Sequence, residues 1–504
     1  MKKVVCLASL VLFIGLVACK KDEDPTSPQI NHTITGFSPS SGPVGTVVTI
    51  KGTNLTNINA SAAVGPATAT ITGVNSAGTE LYITISNSAS TGKIAVTING
   101  GEVKSSSEFT VTEETSIELA ETSLEMNTLE NLEFPDITNL EGFGNDPDIS
   151  FSSDRTDVVE VDETGHMIAL KAGEAEITIT IGELNATVMV TVKPSIFVGG
   201  YIEKNDGDYA VATVWINGLA HELSDTSSYD TYVAVSGPNL YATHVEYSLD
   251  DTVPIKVYKN NTLFGTVGNE DENNRAPKAI QVVGDDVYIC GFEKTNGTQY
   301  AKYWKNGEEI LLSDEGEPAS AQDLFVQNNN VYIAGRGYGN THIARYWVNG
   351  TPTDLTDGSS SSNTFDLFVD EVGDIYTAGS EGTISVAKIW KNDQVLYELS
   401  DGNNSFAAQS VVVHEGNVYA SGVDWSTNTG KFWVNGQMVH EWPGSGGVMT
   451  IYNGSIFLAT SLYNANLDKH IATVWELSSN GAILEETLLP NTLESTYASS
   501  IIVK

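Results

Sequence analysis

Asp323-Leu324-Phe325-Val326, Val331-Tyr332-Ile333-Ala334-Gly335, Ala344-Arg345-Tyr346-Trp347 and Thr353-Asp354-Leu355-Thr356 succeed one another within a short stretch of chain, with Asn349-Gly350 between the last two. Each run is short, rich in β-branched or aromatic residues and bounded by polar turn residues, so the four read as strands. Asn-Gly is the strongest short hairpin signal, because both central residues of a type I′ turn need positive φ. The aromatic that closes the third run recurs at Trp215, Tyr258, Trp304, Trp347, Trp390, Trp433 and Trp475, at spacings of 43, 46, 43, 43, 43 and 42 residues. The second run recurs as Ile196-Phe197, Leu240-Tyr241, Val287-Tyr288, Ile375-Tyr376, Val418-Tyr419 and Ile456-Phe457, mostly followed by a small pair such as Ala-Gly. The turn recurs as Asn217-Gly218, Asn306-Gly307 and Asn435-Gly436, with Asn260-Asn261 and Asn392-Asp393 as variants.

Four strands per unit, repeated seven times, predict an all-β chain whose residues 195–504 form a seven-bladed β-propeller. Ile196 enters at a second strand, while Ala498-Ser499-Ser500-Ile501-Ile502-Val503 reads as an unmatched first strand. The last strand is therefore expected to complete the first blade and leave no open edge. An open solenoid of this period would need capping repeats, and the sequence shows none. The recurring Trp or Tyr is read as blade-to-blade core, since seven equivalent positions cannot each be the site for one ligand. The unit resembles propeller-like repeats of bacterial surface proteins. It lacks the Ser-x-Asp-x-Gly-x-Thr-Trp box of sialidases and the Gly-His/Trp-Asp signature of WD40 proteins.

Upstream of the repeat, residues 33–113 and 114–194 alternate apolar and polar residues in short runs broken by Gly, Pro and Asn, as half-buried antiparallel sheets do. The stretch from Ile34-Thr35-Gly36-Phe37-Ser38-Pro39 through Gly42-Pro43-Val44-Gly45 to Thr49-Ile50-Lys51-Gly52-Thr53-Asn54-Leu55 resembles the opening of the immunoglobulin-like IPT/TIG family. In the second segment, Val158-Val159-Glu160-Val161-Asp162, Gly165 and Ala169-Leu170-Lys171-Ala172-Gly173 resemble the group 2 bacterial Ig-like family. Both resemblances imply β-sandwich domains that act as spacers or adhesive rods, with Lys193-Pro194-Ser195 as the boundary to the propeller.

The chain opens with Met1-Lys2-Lys3 and an apolar stretch from Val4 to Leu16, too short for a permanent membrane span, so residues 1–18 read as a signal peptide. Leu16-Val17-Ala18-Cys19 resembles the lipobox of bacterial lipoproteins, which implies cleavage before Cys19 and acylation of its thiol and amino group. Two acyl chains give the two membrane signals that stable anchoring requires. Residues 19–32, with Lys20-Lys21-Asp22-Glu23-Asp24, form a polar tether. That charge pattern resembles the export tag of Bacteroidetes-type surface lipoproteins and implies an outer-membrane anchor facing the cell exterior.

Lys and Arg number 25 against 64 Asp and Glu, a formal charge of −39 in 504 residues. Loss of the two leader lysines takes −39 to −41, which opposes phosphate neutralisation and excludes a nucleic-acid binder. With Cys6 in the leader and Cys19 acylated, Cys290 stands alone in a strand and reads as a small buried residue.

In this fold the loops between second and third strands and the blade crossovers share one face. Aromatics mixed with Asp and Asn suit sugar binding there: a ring stacks on the pyranose and planar acceptors take its hydroxyls. The ligand-binding candidates are Tyr209, Tyr247, Tyr338, Trp425 and Tyr463, and Trp425 is favoured because it lies outside the repeating core slot. Asp206 and Asp208 are weak candidates for Ca²⁺, lacking the spaced ligand set of an EF-hand loop. No cofactor is expected. His-Glu-x-x-His, Gly-x-Ser-x-Gly and phosphate-binding glycine loops are absent. The Ser-Asp and Thr-Asp pairs such as Thr356-Asp357 and Ser400-Asp401 read as turn caps. The sequence thus favours a non-catalytic surface module for a glycan or protein ligand. The alternative is an extracellular propeller hydrolase or lyase acting on polysaccharide, whose paired carboxylates only the fold can reveal.

Overall fold

The computed structural model describes residues 31–56, 60–113, 116–143, 147–204, 209–246, 254–268, 275–313, 317–489 and 494–504. They fall into two compact units: residues up to 120 with 136–149 and 180–186, and residues 121–135, 150–179 and 187–504. Among the described residues no helix is long and apolar enough to cross a membrane. Cys19 and the leader lie outside the described residues.

In the first unit, strands from Thr33–Ser38 to Gly101–Val111 are joined in one eight-stranded order. The alternation in Val47–Thr53 buries Val48 and Ile50, which meet Leu81, Ile83, Ile94, Val96 and Phe109 in the core. Strand Ala67–Val74 serves two partners, pairing with Ser61–Val64 through its first residues and with Glu80–Thr84 through its last.

The second unit opens with Ser123–Asn127 running parallel to residues 189–193, beside a three-stranded sheet of Asn131–Glu133, His166–Ala169 and Val159–Val161. The sequence boundary at Ser195 is welded: its hydroxyl donates to the Thr128 carbonyl at 2.9 Å, and Leu129 packs on Phe197, Val214 and Val233.

From Ile196 onward the chain forms five four-stranded sheets and one seven-stranded sheet. The seven-stranded sheet is two four-stranded blades that share one strand. Strand Gln437–Tyr452 runs unbroken for 16 residues, its first part the outer strand of the sixth blade and its second part the inner strand of the seventh. Its Pro443-Gly444-Ser445-Gly446-Gly447 stretch holds no bulky side chain, so the backbone crosses inward as extended chain, whereas non-strand residues separate Asp354 from Ser362 and Glu398 from Phe406. Ring closure takes the expected form. Thr496–Val503 pairs antiparallel with Ile196–Lys204 as the inner strand of the first blade. The outer strand of the fourth blade is Thr351–Asp354, starting directly after Asn349-Gly350 and two residues earlier than the sequence reading.

Three repeated devices explain the sequence grammar. Trp215, Trp304, Trp347, Trp390 and Trp433 are fully buried, packed between neighbouring sheets; Trp347, for example, meets Leu312, Ala319 and Leu324. Each turn asparagine adopts φ near +50° and also clamps the start of its second strand. Asn349 accepts the Val331 N–H on its Oδ1 at 2.9 Å, donates its own N–H to the Val331 carbonyl at 2.8 Å, and donates Nδ2 to Asn330. The same clamp holds Leu240, Val287, Ile375 and Val418. Third, a basic residue two before the aromatic reaches acids on flanking strands, as in Lys302 with Glu293 and Glu309, Arg345 with Asp354, and Lys388 with Glu381 and Glu398.

Candidate ligand-binding face of the propeller

Every inner strand carries a β-bulge near the end that faces the second-to-third-strand turns. The register slips by one residue at Lys278, Gln322, Phe365, Gln409 and Ser499. Opposite each of these lies the glycine of the second strand. A Cβ on Gly291, Gly335, Gly379 or Gly422 would sit 2.0–2.1 Å from a backbone carbonyl of the bulged strand. That contact is why the second run ends in a small pair. Where His244 or Thr460 occupies this place the slip is again one residue, but two residues stand against a single unpaired one: Asp230 and Thr231 against His244 in the second blade, Ser445 and Gly446 against Ser461 in the seventh. The bulges turn Lys278, Gln322, Phe365, Gln409, Ser445 and Ser499 into a central cavity of about 380 Å³, which adjoins a wider chamber of about 980 Å³ further down the channel.

Just below the bulges a ring of bonds ties blade to blade. Asp323 accepts the Leu367 N–H at 3.1 Å, Asp366 that of Val411 at 2.7 Å, Ser410 that of Met449 at 3.1 Å and Ser500 that of Val233 at 3.1 Å. Asp323 and Asp366 stand side by side on the channel wall and are hydrogen-bonded to each other. Burial of the carboxyl among the strands first, and then the Asp366 charge, push Asp323 well above the usual carboxylate range, so it holds the shared proton. Folded chain therefore binds a proton that unfolded chain releases above about pH 4, and stability falls as pH rises from there toward the folded pKa. Asp323→Asn, whose amide keeps both bonds, is expected to flatten that fall between about pH 4 and 8 and to raise the unfolding midpoint at the upper end of this range. Urea titrations across pH check this; an unchanged slope would show the pair does not share a proton.

The predicted site residues that fall among the described ones are dispersed around this face. Tyr209 begins its strand opposite Lys204, half-buried. Tyr338 is engaged: its hydroxyl accepts from Arg336 Nε at 2.9 Å, its ring meets His342 edge-on at 4.8 Å, and Arg336 donates on to Asn363 at 2.7 Å. Burial and then the Arg336 charge lower the His342 pKa. Trp425 is 57% exposed in the turn after Asp424, held by its backbone N–H to the Ser405 carbonyl. Asp206, Asp208 and Tyr247 lie outside the described residues. Among the described residues no three His, Cys, Asp or Glu side chains are placed to hold a metal ion. The turn caps are visible: Asp357 accepts the Ser359 N–H at 2.8 Å and Asp401 that of Asn403 at 3.1 Å. Cys290 is buried, and burial raises its thiol pKa.

Among the described candidates, Tyr463 joins an extended row of aromatic rings. It is 37% exposed, donates its hydroxyl to Asp468 at 2.6 Å, and lies 5.3 Å from the His470 ring. His470 meets Tyr497 at 5.1 Å, Tyr497 stacks on Tyr201 at 4.7 Å and 17°, and Tyr201 meets Tyr229 edge-on at 5.3 Å. Glu203 accepts the Tyr497 hydroxyl at 3.2 Å, and burial, with Glu203 adding to it, pushes that phenol up to about 12. This aromatic row runs from the seventh blade across the first to the second. Sequence reading missed four of its five members. The signal was present in the closure register, which pairs Tyr201 with Tyr497, once the last strand is laid on the first blade.

The chain matches the IPT/TIG domain family over residues 33–112 and the bacterial Ig-like domain (group 2) family over residues 115–192. No curated protein matches. Among solved structures, a protein of unknown function from Bacteroides thetaiotaomicron VPI-5482 is 12% identical, covering 70% of this chain and 96% of its own, with TM-score 0.21. An auxiliary nutrient binding protein from the same organism is 14% identical, covering 73% and 99%, with TM-score 0.22. The WD40 β-propeller domain of Doa1 is 13% identical, covering 52% and 91%, with TM-score 0.35. By sequence family and by strand topology, the chain carries an IPT/TIG domain and a group 2 bacterial Ig-like domain followed by a β-propeller.

Proposed function

We propose that this is a lipid-anchored cell-surface protein, held at Cys19, whose propeller binds a glycan without turning it over, the Ig-like domains serving as a stalk. The observation that supports glycan binding is the aromatic row from Tyr463 to Tyr229, bordered by the acceptors Asp468 and Glu203. Flat rings beside planar acceptors match the two faces of a sugar. Trp425, exposed on the neighbouring blade, is a second contact. Against a hydrolase, the carboxyl pair in the channel, Asp323 and Asp366, is in direct hydrogen-bond contact, closer than the roughly 5–9.5 Å that either glycosidase geometry requires. Each of the two also accepts a backbone N–H.

A glycan array with a subsequent reducing-end assay on any hit tests the reading; new reducing ends would overturn it in favour of the enzyme. Tyr463→Ala should weaken binding of the hit on the order of tenfold, about 1.4 kcal/mol, with the melting temperature held. Unchanged affinity would remove the row from the site. Protease treatment of intact cells should release the propeller, whereas full protection would place it in the periplasm.

A further inference from the structure

Within an internal repeat, positions that serve the fold hold the same residue type, as the Trp, Gly and Asn slots do here. The bulge position breaks that rule. Its one-residue slip recurs around the ring, yet its side chains are Lys278, Gln322, Phe365, Gln409 and Ser499, with Asp230 and Ser445 at the corresponding slips of the second and seventh blades. All but Asp230 line the same cavity, whose volume of about 380 Å³ lies in the range of small-ligand pockets. Core packing does not dictate these side chains, since each is only half-buried. A ring of fixed backbone carrying a cation, two amides, an aromatic and hydroxyls toward one point is what an asymmetric polar ligand requires.

The arrangement specifies the ligand further. Phe365 stands on the blade between those of Gln322 and Gln409, so one flat apolar face is flanked by two amide groups, the complement of a hydroxylated ring. Lys278 is the only lysine or arginine lining the cavity among the described residues. Its partner Asp230 is 3.3 Å away and 45% exposed, a pairing a ligand anion can displace at modest cost. Beside Lys278, the ring of blade-to-blade bonds is interrupted. Ala279 stands where Asp323 and Asp366 stand in the next two blades and offers no side-chain acceptor to the Leu324 N–H.

We propose that the upper channel is a pocket for a single sugar residue bearing a carboxylate, with Lys278 on the carboxylate, Phe365 under the ring, and Gln322 and Gln409 on its hydroxyls. The inference rests on the glycan-binding reading and assigns the acidic end residue to the channel, while the aromatic row holds the neighbouring sugars of the same glycan. Calorimetric titration of the full chain with free glucuronate and galacturonate, against glucose and galactose, tests it. A uronate should bind at least tenfold more tightly than its neutral counterpart. Lys278→Gln should abolish that preference, and Phe365→Ala and Gln322→Ala should weaken uronate binding severalfold at unchanged melting temperature. Tyr463→Ala should leave monosaccharide binding intact, so loss of the row and loss of the pocket are read separately. Absence of uronate binding, equal binding of the neutral sugars, or a preference that survives Lys278→Gln would each overturn the proposal. If Lys278→Gln fails to fold, Gln322→Ala decides it.

Discussion

Trp347→Ala is expected to cost about 3–5 kcal/mol of propeller stability. The indole is fully buried and spans the interface between the third and fourth blades, where Leu312, Ala319, Ala321 and Leu324 close around it. Truncation removes apolar contact from two sheets at once, and the strands cannot collapse on the void without breaking their own ladders. Its Nε1 meets no acceptor among the described residues, so the loss is one of packing and Trp347→Phe should recover most of it. Guanidinium denaturation read by fluorescence checks both variants. A loss below about 1 kcal/mol for alanine, small against the usual cost of emptying a core site, would show that the recurring aromatic is not the joint between blades.

Gly335→Ala is expected to be of comparable size despite adding a single methyl. The new Cβ would lie 2.1 Å from the Ser320 carbonyl oxygen and 3.0 Å from the Trp347 ring, and the first of these is backbone in a hydrogen-bonded strand. Relief requires the ladder around the Gln322 bulge to give way, as it does where His244 or Thr460 fills the equivalent place and one further residue on each strand is left unpaired. A loss of about 2–4 kcal/mol results if the bulge cannot move. Gly350→Ala in the nearby turn is the control: it meets no atoms within 4 Å, and its cost comes only from φ of +82°. Equal losses at the two positions would show that the close approach to Ser320 carries no special cost.

The period and the Asn-Gly turns made the propeller legible because each blade must repeat the same burial, and repeated burial leaves repeated residues. Trp347 and Asn349 could be read as structural for that reason. The site was less legible for the converse one. Tyr201 and Tyr497 stand at opposite ends of the repeat in sequence and meet only because the last strand closes the first blade. Lys278 and Gln322 look like ordinary strand residues; only the bulge, set by a glycine on the adjacent strand, turns them into the channel. Tyr338 had the composition of a ligand contact, yet Arg336 and His342 already occupy its hydroxyl and ring. Tyr463 was legible as a loop aromatic, while the row it heads was not.

Because Ile196–Lys204 takes its inner partner from Thr496–Val503, a ribosome must add nearly all of the repeat before the first blade can be finished. At typical synthesis rates of about 5–20 residues per second, that wait is on the order of 15–60 seconds. Throughout it, Phe197, Val198 and Ile202 border a bare strand edge open to pairing with any extended chain. Nascent chains therefore need that edge shielded until Thr496–Val503 has been made, and a ribosome stalled within the seventh blade leaves a product with an adhesive seam.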